Sequence, residues 1–150
     1  MLKKYKFGLD VWSLVLFLLI MIPNFIWASI PAPNDILRAE SISKTIDLAT
    51  FIFRILMIAT LCCLKNNETQ RISLTPLIVF TGISCLLYYF SWFAYYQGLV
   101  DTIVILGLSV TPCLSFLLYA IDRKNLIAII PILLFTVGHL TYTIVNFIIY

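Results

Sequence analysis

The sequence predicts an all-α integral membrane bundle of five transmembrane helices, with the N-terminus cytoplasmic and the C-terminus external. Three observations carry this prediction. The 150 residues are 62% hydrophobic and only 11% charged, with a mean hydropathy of +1.04. A soluble domain carries about 25% charge, so lipid must serve as part of the solvent. Long stretches lack Asp, Glu, Lys and Arg altogether: residues 11–34, 72–100, 102–121 and 125–150, while 48–64 contain only Arg54. The cations, finally, are divided unequally between the connecting segments.

A helix rises about 1.5 Å per residue, so about 20 residues cross a ~30 Å hydrocarbon core. The predicted spans are 9–29, 47–64, 75–97, 101–120 and 125–149, forming a single domain over residues 1–150. These segments are too long and too evenly apolar for barrel strands of about 10 residues. The first span has a basic start, an apolar run and the small-residue stretch "WAS", as a signal peptide would. Asp10 at its front and a run longer than the usual ~7–15 residues favour a retained helix. The stretch "PNFIWASIPAPND" ends it, with Pro23, Pro31 and Pro33 breaking the apolar pattern. The segment 30–46 is the one long connection, an external stretch that reads either as a short interfacial helix with Asn34 and Asp35 as candidate N-caps or simply as a polar loop.

With the N-terminus inside, the cytoplasmic side holds Lys3, Lys4, Lys6, Lys65, Arg71, Arg123 and Lys124, and the outer side holds only Arg38 and Lys44. That bias sets the orientation. In the fourth span Gly107, Thr111 and Ser115 recur every four residues, a spacing that permits close helix approach, so this helix is expected at the centre. Pro112 and Pro131 are expected to bend their helices or shape a cavity.

Polar residues concentrate at one depth. In this orientation the inner half reads as nearly all hydrocarbon. The outer half carries Asn24, Asp47, Thr50 and Arg54, then Tyr88, Tyr89, Ser91, Trp92, Tyr95 and Tyr96, then Ser109 and Thr111, and lastly His139, Tyr142 and Asn146. Polar groups in hydrocarbon need partners or a wet cavity, and a shared site accounts for all five helices turning polar together. Arg54 is the sharpest member, since a mid-membrane Arg costs about 2.5–3.5 kcal/mol on insertion scales. Its charge calls for a partner: Asp47 through water, Asp101, Glu40 or a bound anion.

The leading functional expectation is an outward-facing polar pocket for a small anionic or amphipathic ligand, serving sensing, uptake or an accessory role. Arg54 is the charge partner; Trp92, Tyr89 and His139 line the pocket; Asn24, Asp47, Ser109 and Tyr142 complete it. A scaffolding or assembly subunit, paired with a membrane partner or a second copy, is the alternative. A membrane enzyme acting on lipid headgroups is the third reading, weakened by the lack of a nucleophile motif, a G-x-S-x-G, an H-E-x-x-H or a Gly-rich phosphate loop. No cofactor or metal is expected: Cys62, Cys63, Cys85 and Cys113 show no metal spacing, and His139 is the sole His. A net charge of +3 with no Lys/Arg run beyond two residues excludes nucleic acid as a partner. The chain has the general look of small bacterial multi-pass proteins. That look sets a bacterial cell membrane as the expected location and carries no function.

Overall fold

The structure is a computed structural model that describes residues 4–67 and 71–149. Lys3 and residues 68–70 of the segment expected on the cytoplasmic side lie outside the described residues. The chain is 76% helical, and all five helices are long and apolar enough to span a membrane. In order they are α1 (Val11–Ser29), α2 (Lys44–Cys63), α3 (Pro76–Tyr96), α4 (Thr102–Asp122) and α5 (Leu126–Thr143). A π-helical turn, Ile144–Ile148, extends α5, and a 3-10 turn, Ile36–Arg38, sits in the 30–43 loop.

Local chemistry fixes the helix starts. Asp10, Ser43, Thr75 and Asn125 each accept a backbone N–H of the first turn, from Trp12, Ile46, Ile78 and Ala128. These bonds satisfy donors that a helix leaves orphaned. Ser43 explains why α2 begins at Lys44, three residues before the expected start: the cap, rather than the edge of the apolar run, sets the boundary. Asp35 precedes the 3-10 turn but makes no cap bond there. Its carboxylate is engaged elsewhere, and the expected interfacial helix shrinks to that single turn.

Helix α4 is central. Half of its apolar window is buried, against 22% for each of the others. It packs between α3 and α5, α2 packs on α5, and α1 leans across α2, α3 and α4 with few close approaches. Gly107 permits the α3–α4 contact, because a Cβ there would lie 2.2 Å from Ser91 Oγ. Gly138 does the same between α5 and α2, where a Cβ would meet Thr50 Oγ1 at 3.0 Å.

One end of the bundle carries a feature the sequence reading did not anticipate. Strand β1 (Tyr5–Phe7) pairs antiparallel with β2 (Leu64–Asn66), with Lys6 opposite Lys65. Beyond the ladder, the N–H groups of Gly8 and Asp10 donate to the carbonyls of Cys63 and Cys62, at 3.0 and 2.7 Å. Carbonyls that the end of α2 leaves without helical donors are thereby satisfied. The half of the bundle next to this strand end is not all hydrocarbon, which corrects the sequence reading. Ser13, Ser84 and Ser115 are buried there, and the Tyr119 hydroxyl donates to Asp10 Oδ2 at 3.3 Å. Asn125 ties the turn before α5 to α2, donating to the Leu64 carbonyl at 2.8 Å.

Candidate functional site

At the opposite end, the loop end, a cavity of about 330 Å³ lies among all five helices. Phe17, Ile20, Met21, Asn24 and Trp27 line it from α1. Their spacing of three and four residues makes one helix face. Arg54 and Met57 come from α2, Tyr88 and Trp92 from α3, Leu108, Ser109, Pro112 and Phe116 from α4, and Phe135, His139, Tyr142 and Thr143 from α5. Leu37 of the loop and Phe147 of the π-helical turn complete the wall.

Six of the eight residues singled out from sequence therefore meet at one cavity: Asn24, Arg54, Trp92, Ser109, His139 and Tyr142. Asp47 lies in an adjoining cavity of about 300 Å³ between α2 and α5, with Thr50, Phe51, Arg54, His139 and Tyr142. Tyr89 lines neither. Its hydroxyl donates to the Leu19 carbonyl at 2.6 Å, on the outside of the α1–α3 seam. Tyr88 takes the place expected for Tyr89; it is 3% exposed, and its hydroxyl accepts from Asn24 Nδ2 at 2.7 Å. The signal was in the spacing: Thr81, Ser84, Tyr88, Trp92 and Tyr95 are the buried stripe of α3 at steps of three and four, and Tyr89 is off it.

The cavity groups differ in how well they are satisfied. Ser109 Oγ and Thr143 Oγ1 share a hydrogen bond of 2.7 Å that pins α4 to α5. Asn24 is doubly bonded, to Tyr88 and to the Ile20 carbonyl. By contrast, Trp92 Nε1, His139 Nδ1, Asp47 Oδ1 and Thr50 Oγ1 are buried without a hydrogen-bond partner among the described residues. The His139 ring is stacked on Phe135 with centroids 5.2 Å apart. The Arg54 guanidinium lies 5.7 Å from the centroid of the same Phe135 ring. No ion pair of Arg54 occurs among the described residues, where the one close acid–base pair is Asp35–Arg38. Asp101 and Glu40 are both exposed on the loop-end surface. In hydrocarbon such unpaired groups are costly.

Over the mouth, the 30–43 loop is knotted down by Asp35. Its carboxylate accepts from Trp27 Nε1 at 2.8 Å, Tyr95 Oη at 2.9 Å, Arg38 Nε at 2.7 Å and the Ala32 N–H at 3.4 Å. Burial pushes this carboxyl up, but the donors outweigh it and hold the group below its ordinary 3.8. Arg38 also lies over the Trp27 ring, 5.0 Å from its centroid. Sequence reading missed this knot: Trp27, Ala32 and Arg38 lie within eight residues of Asp35, but Tyr95 joins them from 60 residues away. Trp92 links it to the cavity, with Trp27 at 6.3 Å and Tyr95 at 5.7 Å between ring centroids.

Among the described residues, no group of three or more His, Cys, Asp or Glu could hold a metal ion, and all four cysteines are free thiols. No family model matches this chain, and no curated protein or solved structure does.

Proposed function

We propose that this is a multi-pass membrane protein whose loop-end cavity binds a small anionic or amphipathic ligand, with Arg54 as its charge partner. One observation carries the reading. The guanidinium of Arg54, an exposed residue without an ion pair among the described residues, borders an apolar cavity, beside two buried nitrogens, Trp92 Nε1 and His139 Nδ1, that lack hydrogen-bond partners there. Cation and polar nitrogens converging on one apolar space is the pattern of a ligand site: apolar walls supply the affinity and a few polar groups fix orientation. Room of about 330 Å³ is at the small end for such sites.

Orientation belongs to the same proposal. Lys4, Lys6, Lys65, Arg71, Arg123 and Lys124 gather at the strand end, and Arg38 and Lys44 at the loop end. The positive-inside bias then puts the strand end in the cytoplasm and the cavity mouth outside. Native mass spectrometry of protein released in mild detergent tests the reading. A bound small molecule on the parent protein, absent from Arg54→Met, is the expected result. A bare parent whose Arg54→Met form unfolds, rescued by Asp47→Asn, supports the scaffolding alternative instead.

A further inference from the structure

The cavity between α2 and α5 borders the same Arg54 from the other side, and its chemistry differs. Asp47, Thr50, Phe51 and Arg54 lie at steps of three, one and three residues along α2, so they share a face. At the outer end of this row stands an acid with a buried, unpartnered oxygen; at the inner end stands the guanidinium. Between them Thr50 is 4% exposed, and its hydroxyl also lacks a partner among the described residues. Gly138 brings α5 against Thr50 and closes the far wall.

Two opposite charges on one wall ordinarily pair, but Asp47 and Arg54 do not: no Asp47–Arg54 contact within 4 Å is present. Their Cα atoms are separated by about 10 Å of helix rise, and the longer Arg54 side chain leans back toward Asp47, which narrows the gap between the charges without closing it. That gap suits a molecule with an ammonium and an oxyanion at its two ends. Aminoethyl phosphate, with two carbons between its charged groups, is a probe of that kind. A cavity of about 300 Å³ has room for such a group at about 30 Å³ per water-sized unit.

We infer that the α2/α5 cavity recognises a small zwitterion, its ammonium held by Asp47 and Thr50 and its anionic group by Arg54, with aminoethyl phosphate as the type tested. The inference rests on the proposed role of Arg54 as a ligand's charge partner and adds the acid end. Aminoethyl phosphate occurs free and as a phospholipid headgroup, and either source presents the same two charges. In the headgroup the ammonium lies outermost and the phosphate deeper, the order in which Asp47 and Arg54 follow one another along α2.

The test uses the full chain in nanodiscs of phosphatidylcholine, titrated with phosphoethanolamine, ethyl phosphate and ethanolamine. The parent should bind phosphoethanolamine at least about tenfold more tightly than ethyl phosphate, one hydrogen-bonded charge pair being worth that ratio. Asp47→Asn should bring the two within about twofold while ethyl phosphate binding persists, and Arg54→Met should abolish both. Thr50→Val should narrow the ratio as well, and it stands in for Asp47→Asn should that variant fail to fold. A second arm reads retained lipid by native mass spectrometry from nanodiscs of mixed phosphatidylethanolamine and phosphatidylglycerol. Preference for the former, lost in Asp47→Asn, identifies the headgroup as the source; binding of the soluble probe without lipid preference identifies the free molecule. Ethyl phosphate binding as tightly as phosphoethanolamine, with no lipid preference, overturns the zwitterion and leaves the anion site standing. Failure of every phosphate probe and both lipids overturns the zwitterion, while the Arg54 reading stands or falls on the bound species that native mass spectrometry finds on the parent and not on Arg54→Met.

Discussion

The hydroxyl of Tyr89 donates to the backbone carbonyl of Leu19 at 2.6 Å. Leu19 lies four residues before Pro23, whose missing N–H would otherwise have been that carbonyl's helical donor. Helix α1 therefore runs through its proline unbroken, with the lost bond replaced from the neighbouring helix. Asn24 to Tyr88 and Tyr96 to the Ile30 carbonyl continue the same seam.

Removing the Tyr89 hydroxyl should cost about 1 kcal/mol, the usual worth of a hydrogen bond whose partner is left unpaired. Tyr89→Phe should therefore be less stable than the parent by that amount, whereas Tyr89→Phe made on Pro23→Ala should lose little. Unfolding of the four proteins in one detergent closes the double-mutant cycle. An equal loss in both backgrounds would separate the tyrosine from the proline.

The Asp35 knot predicts an acid limit. Its carboxyl titrates lower in the folded protein than its ordinary 3.8, so its contribution is complete above that value and is lost as pH falls through the lowered one. Tryptophan fluorescence followed from pH 7 downward should hold steady on this account until about pH 4, then report release of Trp27 from Asp35. Asp35→Ala should shift the spectrum already at pH 7 and cost about 2 kcal/mol through four stranded donors.

For Arg54, the site reading predicts a stable but non-binding Arg54→Met, because removing a charge without a structural partner leaves nothing unpaired. Arg54→Lys keeps the charge and loses the planar fork, so binding should weaken rather than vanish. A fall of a few kcal/mol in Arg54→Met would assign the residue to packing instead.

At the α3–α4 contact, Gly107→Leu should destabilise the bundle by several kcal/mol, since even a Cβ would strike Ser91. Leu126→Ala should cost far less, because Leu126 is 54% exposed. Equal melting temperatures for the two would remove Gly107 from a close contact.

Orientation is checked by single-cysteine labelling in a cysteine-free background. Position 40 should react with an impermeant reagent from outside, and position 65 only after the membrane is opened. Labelling of position 40 from the cytoplasmic side alone would reverse the assignment.

The helices were legible because hydrocarbon imposes length and freedom from charge, and both can be read from the chain directly. Arg54, His139 and Trp92 were legible as site candidates for the same reason: polar groups at apolar depth are costly and need company. The choice of Tyr89 over Tyr88 was not settled by depth, because neighbours in sequence share a depth and differ by rotation about the helix axis. The buried stripe through Thr81, Ser84 and Tyr95 resolves it. The Tyr95–Asp35 bond and the β1–β2 ladder stayed hidden because each joins residues far apart in the chain, and no local pattern announces such pairings.

The ladder also bears on the order of assembly. Its second strand follows α2 directly, so β1 can find its partner as soon as the first two helices exist, before α3 is made. The chain up to Asn66 can thus close on itself as a stapled hairpin during synthesis. The tyrosines that draw α1 against α3 arrive afterwards, and α5, made last, supplies the final wall of both cavities.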